Sequence, residues 1–256
     1  MKNWKQTFAV IWTGQFFSIL TSVVVNFGIV LWISMETRSA EMLAYGTIAA
    51  LLPQALLGPV TGVFIDRWKR KRVMMLADSF IATCTAVLAL LFWLDIAQMW
   101  HIFILLAMRS VGSAFHMPAM QASIPLIAPE SQLTRVAGIS QMINSFCNIA
   151  GPALGALMII NFEMQWVLML DVFGAAFAVT SLLFVTIPDP KPVAGKVPNI
   201  FREIKEGVTA ITKKPGLGLV FLYSALVTFF LMPVSVLFPL MTLEHFGGTE
   251  FQVSLI

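Results

Sequence analysis

Charge is what this sequence has least of: 11% of its 256 residues are Asp, Glu, Lys or Arg, while 58% are hydrophobic. A soluble domain needs a polar exterior, and a mean hydropathy of +0.86 leaves no residues to build one. Cysteine is almost missing as well. Cys84 and Cys147 each sit inside an apolar run, so neither a disulfide framework nor a metal site is expected. His101 and His116 lack metal-ligand spacing. No HExxH, P-loop or nucleophile elbow occurs, which removes the chemistry of an embedded protease, an ATP-driven pump and a lipid hydrolase. The sequence therefore predicts no enzyme and no cofactor. The pI near 9.0 does not point to nucleic acid, because no basic patch carries interleaved aromatics.

What is present is a series of long apolar runs, and the composition predicts an all-α polytopic membrane protein. About 20 apolar residues cross the hydrocarbon. Seven segments reach that length, at about 8–34, 42–65, 73–94, 99–122, 136–160, 164–187 and 217–240, and an eighth begins near Phe251 and is cut off by the end of the chain. The first follows Lys2 and Lys5 and is too long for a signal-peptide core. With loops assigned alternately, all but two of the 16 Lys and Arg fall on one side; the exceptions are Arg38, outside, and Arg109, within a span. The positive-inside bias then places the N-terminus in the cytoplasm. Glu36, Glu41, Asp95 and Glu163 lie in the outer loops, and Trp93, Trp100 and Trp166 mark the outer boundary.

The character changes after the sixth span. Pro188, Pro190, Pro192 and Pro198 break the helix, and Ile200, Ile204, Val208 and Ile211 then recur at helical spacing. This predicts an amphipathic helix on the inner leaflet. The expected organisation is a six-helix bundle over 1–187, a cytoplasmic linker over 188–216, and the incomplete start of a second bundle over 217–256.

Polar residues inside spans are costly, so their positions are informative. Gln15, Ser18, Ser22 and Asn26 form one polar stripe, which faces either water or neighbouring helices. In the fourth span Arg109, Gly112, Ser113 and His116 share a face, and Arg109 lies roughly 14 Å beyond Trp100, near mid-membrane. A central arginine lines a cavity or meets an acid; a purely structural ion pair satisfies it equally. Asp171 in the sixth span lies about 10 Å below the outer surface, at a depth close to that of Arg109. It is the sharpest candidate for a proton-carrying carboxylate, with a structural hydrogen bond as the competing role. Gly151 and Gly155 make a small-xxx-small surface around Pro152, which suits close helix packing.

The densest cluster of charge is GVFIDRWKRKR, from Gly62 to Arg72, between the second and third spans. Five cations in seven residues anchor topology and attract anionic lipid headgroups, while Asp66 among them suggests a specific ion partner. The order Gly62, Asp66, Arg67, Arg70, Lys71, Arg72 resembles the loop motif of the major facilitator superfamily, with Lys69 standing where that family usually has glycine. The resemblance implies that Asp66 and Arg67 latch two halves of a transporter together at the cytoplasmic face. It also implies that Asp78, about 8 Å from the inner boundary, pairs with the basic loop in a structural or gating role.

RSVGSAFHMPA is similar to the fourth-helix motif of proton-coupled facilitators, although the interval from Arg109 to Gly112 is one residue shorter and the family glutamine is absent. NIAGPALGA matches the antiporter motif through Gly151, Pro152 and Gly155. Together with LLPQALLGPVTGVFIDR, FREIKEGV and LFPL, these stretches resemble the macrolide-efflux branch. By that resemblance the chain is the N-terminal portion of a proton-driven exporter of amphiphilic drugs in the cytoplasmic membrane. Its expected partners are protons, membrane lipids and a missing C-terminal half. Gating would fall to Gly62, Asp66, Arg67, Arg70 and Asp78, and proton coupling or substrate orientation to Arg109 and Asp171. The cavity would be lined by Gln15, Ser22, Asn26, Ser113 and His116. A truncated fragment that transports nothing and an uptake facilitator of the same fold are the alternatives.

Overall fold

The structure, a computed structural model, describes residues 4–188, 209, 212–214, 216–249 and 252–253. The predicted amphipathic helix of the linker and the start of the eighth span lie outside the described residues. Among those described there is no strand, as the composition requires: in hydrocarbon only a helix satisfies its backbone within one segment.

Seven helices are long and apolar enough to cross a membrane. They are α1 (Trp4–Thr37), α2 (Ala40–Ile65), α3 (Arg70–Trp93), α4 (Met99–Ile127), α5 (Leu133–Asn161), α6 (Met164–Leu183) and α7 (Leu217–Leu240). A 3-10 turn, Glu130–Gln132, joins α4 to α5, and a π-helical turn, Met241–His245, follows α7. The chain is a multi-pass membrane protein.

Local chemistry sets the helix ends. Ser39 caps α2 by accepting the Met42 N–H at 3.4 Å, and Glu41 places an acid in the positive first turn. At the start of α4 the Gln98 and His101 side chains cap each other's backbone. That helix runs beyond the apolar limit near 122 and stops at Ala128, which is extended because Pro129 follows it. The sixth span was expected to continue to 187, but the helix ends at Leu183. Lys71 Nζ accounts for the difference: it donates to the Leu183 and Val185 carbonyls at 3.4 and 2.8 Å, so the chain leaves the helix with its last acceptors occupied.

In the bundle α1 packs on α5 and α6, α2 on α4, and α3 on both α4 and α6. Lipid tails are as apolar as the side chains, so close backbone approach carries the association. Gly174 of α6 lies so near α1 that a Cβ there would overlap the Thr21 hydroxyl. On α5, a Cβ at Gly151 would overlap Val23, and one at Gly155 would come within 2.9 Å of the Val24 carbonyl. Two apolar clusters fill the interior. One, at the end bearing the basic loop, contains Ile11, Trp12, Val73, Met74 and Leu182; the other, toward the opposite end, contains Ile29, Leu43, Leu88, Ile102 and Leu168.

Pro53 lies inside α2, and the next amide, Gln54 N–H, donates to Ser110 Oγ of α4 at 3.1 Å. α7 meets the first six helices only near its C-terminal end. Val236 and Leu240 join the cluster at the end opposite the basic loop, Arg38 pairs with Glu244 at 3.3 Å, and the side chains from Leu219 to Leu231 lie exposed.

Candidate functional site

A polar core crosses the bundle between the two apolar clusters. At its centre the Arg109 guanidinium on α4 meets the Asp171 carboxylate on α6, Nη1 to Oδ2 at 2.7 Å. Asp171 is 1% exposed and Arg109 is 5% exposed. Neither charge survives such burial alone, and the pair is completed by donors and acceptors from two further helices. Ser22 on α1 donates to Asp171 Oδ1 at 2.5 Å, and Thr85 on α3 donates to Asp171 Oδ2 at 2.9 Å. The guanidinium in turn donates to Thr85 Oγ1 and, at 3.1 Å, to Asn26 Oδ1. Four helices thus meet at one ion pair, with both carboxylate oxygens occupied.

Beside this network lies a cavity of about 510 Å³, within the size range of sites for drug-sized ligands. Ser22, Asn26, Arg109 and Ser113 reach it, as do Gln54 and Asn148 on opposite walls. Pro152 also lines it, and Phe27, Val30 and Leu51 supply apolar area. Met232, Ser235, Val236 and Pro239 of α7 close one side. Gln15 and His116, expected in the same lining, lie elsewhere. Both are buried nearer the basic loop, where Gln15 Nε2 donates to Asp78 Oδ2 at 3.3 Å and His116 Nε2 lies 3.1 Å from Asp78 Oδ1, in ion-pair contact but off the line of a hydrogen bond.

That arrangement corrects the expectation for Asp78. Its described partners are on α1 and α4, not in the basic loop, because α3 turns this position toward the bundle axis. Asp66 does have an ion partner, Arg70, one turn along at 3.9 Å; Arg70 is buried, whereas the Asp66 side chain is 75% exposed. Lys69 holds φ at −66° with an extended ψ, so the turn that the family makes with glycine needs no positive φ here. No described atom stands within 4 Å of a Cβ built on Gly62, and Arg67 is exposed in the loop. Gly151 and Gly155 form the contact of α5 with α1, and Pro152 between them lines the cavity one turn from Asn148.

Sequence reasoning missed Thr85 as a site-forming residue. Thr85 lies seven residues from Asp78 on the same helical face.

A sequence profile described as the Major Facilitator Superfamily matches residues 11–256. The chain belongs to that superfamily. It is 37% identical to macrolide efflux protein A of Streptococcus pyogenes, over 99% of this chain and 63% of that protein. To macrolide efflux protein A of Enterococcus faecalis it is 38% identical, over 82% of this chain and 65% of that protein. A more distant relative, the multidrug efflux pump Tap of Mycobacterium bovis, is 28% identical over half of this chain. The resemblance to the macrolide-efflux branch is borne out, and the chain spans somewhat under two thirds of the length of these macrolide efflux relatives.

Proposed function

We propose that this chain forms the N-terminal part of a secondary transporter that exports amphiphilic drugs such as macrolides in exchange for protons. The observation that carries the reading is the cavity of about 510 Å³ built directly against a buried Arg109–Asp171 pair. A bulky substrate needs a large, mostly apolar wall with a few placed hydrogen-bonding groups, and Phe27, Asn26, Gln54 and Asn148 supply both. A proton-coupled cycle needs a carboxylate whose charge depends on its neighbours. Asp171 meets that need: protonation would release Arg109, whose side chain reaches the cavity. The similarity to macrolide efflux proteins supports the direction and class of the cargo.

In this reading residues 1–187 are one bundle, 188–216 a cytoplasmic linker, and 217–256 the start of a second bundle that rocks against the first. The N-terminus and the basic loop face the cytoplasm across the cytoplasmic membrane. Asp66, Arg67 and Arg70 hold the two halves at that face, and Gly62 leaves room beside them. Gly151, Pro152 and Gly155 let α5 stay close to α1 as the cavity changes shape. The test is export of a macrolide from cells carrying the full-length gene, with and without an uncoupler. Export that persists after the proton gradient is collapsed would reject proton coupling, and net inward movement would favour uptake.

A further inference from the structure

The polar core is two layers, and the proposed function uses only one. Gln15, Asp78 and His116 make the layer nearer the basic loop; Ser22, Thr85 and Arg109, with Asp171, make the other. On each of three helices the two members are seven residues apart: 15 and 22 on α1, 78 and 85 on α3, 116 and 109 on α4. Seven residues are nearly two turns, so each pair points the same way with a rise of about 10.5 Å. The direction is consistent as well. Chain numbers rise from the first layer to the second on α1 and α3 and fall on α4, as alternating helices require.

Each layer pairs one acid with one base, but the bases differ. Arginine keeps its proton throughout the physiological range, whereas histidine gains and loses one there. The layer of His116 is also incomplete as it stands. Among the described residues Gln15 Oε1 and His116 Nε2 are buried without a hydrogen bond, although Asp78 Oδ1 is 3.1 Å from the ring nitrogen. With no proton between them, a lone pair faces a carboxylate in a medium that screens poorly; with one, the contact becomes an ion pair. Among the described residues Asp78 is the one charged group paired with the ring. Gln15, which α1 brings to the layer, is neutral, α2, α5 and α6 bring no described ion pair to the ring, and Arg109 on its own helix is two turns away and engaged by Asp171.

We propose that Gln15, Asp78 and His116 form a proton-binding site separate from the Arg109–Asp171 pair. A hydronium ion gives up one proton and leaves as water; the proton bonds to His116 Nε2 and is held against Asp78 Oδ1. Release reverses the step toward whichever side has access. This goes beyond the reading of Asp171 as the coupling carboxylate, and its test reads protonation without reading export, so either idea can fail alone.

The chain has three histidines, so the site is open to direct observation. Full-length protein carrying ¹³C-histidine, purified in detergent micelles, is titrated by NMR between about pH 5 and 9, the range in which histidine changes charge. The His116→Gln variant identifies the signal among those of the full-length protein; if it does not fold, His116→Asn identifies it. The expected result is a signal that shifts with pH, whose midpoint falls by at least one pH unit in Asp78→Asn, a tenfold loss of proton affinity, and stays within a few tenths of a unit in Asp171→Asn. A signal that stays fixed over the whole range overturns the proposal, as does a midpoint indifferent to Asp78. A midpoint that collapses in Asp171→Asn would make the two layers one site and overturn it as well.

Discussion

Arg109 and Asp171, 62 residues apart in the chain, meet at 2.7 Å inside a bundle that otherwise holds few charges, and each of their side chains is at most 6% exposed. The geometry separates what the pair does for folding from what it does for transport. Arg109→Ala strands a buried carboxylate, and Asp171→Ala strands a guanidinium. Each is expected to cost about 3–5 kcal/mol, read as a fall in melting temperature of the detergent-solubilised full-length protein. The double substitution Arg109→Met with Asp171→Leu removes both charges and is expected to recover most of that loss while export stays absent. Recovery of export along with stability would make the pair structural only.

Asp171→Asn keeps the shape and one acceptor oxygen, exchanges the other for a donor, and removes the exchangeable proton. Proton-driven export is expected to vanish while the purified protein elutes as wild type by size exclusion. Unchanged export at several external pH values would reject the coupling role.

Gly151 and Gly155 set the distance between α5 and α1, and the space beside them is filled by Val23, Val24 and Phe27. Gly155→Leu drives a side chain toward the Val24 carbonyl and the Phe27 ring, which is expected to destabilise by about 1–3 kcal/mol. A thermal shift assay checks this, with Gly138→Leu as the control, since no described atom lies within 4 Å of a Cβ at that position. Equal shifts in the two variants would remove the packing argument.

Gln54 and Asn148 face the cavity from different helices, and an amide there can both donate to and accept from the polar groups of a guest. Gln54→Leu and Asn148→Leu are expected to change the ranking of exported macrolides rather than abolish export. Each lost hydrogen bond is worth about 0.5–1.5 kcal/mol, or roughly two- to tenfold in the inhibitory concentration of the drug. A uniform reduction for every drug would point to a general defect instead.

Lys71 is expected to act on α6 alone. Lys71→Met keeps most of the apolar stem and removes the donor to the Leu183 and Val185 carbonyls, so the last turn of α6 should exchange its amide hydrogens faster while the Asp171 turn keeps its protection. Faster exchange throughout α6 would contradict a purely local cap.

The helices were legible because hydrocarbon leaves the backbone no alternative once about 20 apolar residues occur in succession. Their ends were less so: α4 runs on to Ile127 and α5 starts at Leu133, where water replaces lipid and polar side chains no longer mark a boundary. Arg109 and Asp171 stood out because a charge in a span is costly enough to need a reason. Their pairing did not stand out as a contact, since nothing in the spacing of either helix records how α4, α3 and α6 lie around one another. Thr85 stayed hidden for a different reason. A threonine in a helix can turn its hydroxyl to the carbonyl of the preceding turn, here Ile81 at 3.0 Å, so one more hydroxyl among apolar residues carries no signal that it serves another helix. Asp78 was referred to the nearest cations along the chain, while its partners arrive from helices that are neighbours only in space.

The bond from the Gln54 amide to Ser110 ties α2 to α4 at the level of its first proline. A proline normally makes a weak joint in a transmembrane rod by leaving polar backbone with no partner in oil. Here a hydroxyl borrowed from the neighbouring rod takes up the amide just past Pro53, at a height where α2 forms one wall of the cavity. The wall therefore carries a proline at that level while the amide that follows it is held by α4 and not left bare to lipid.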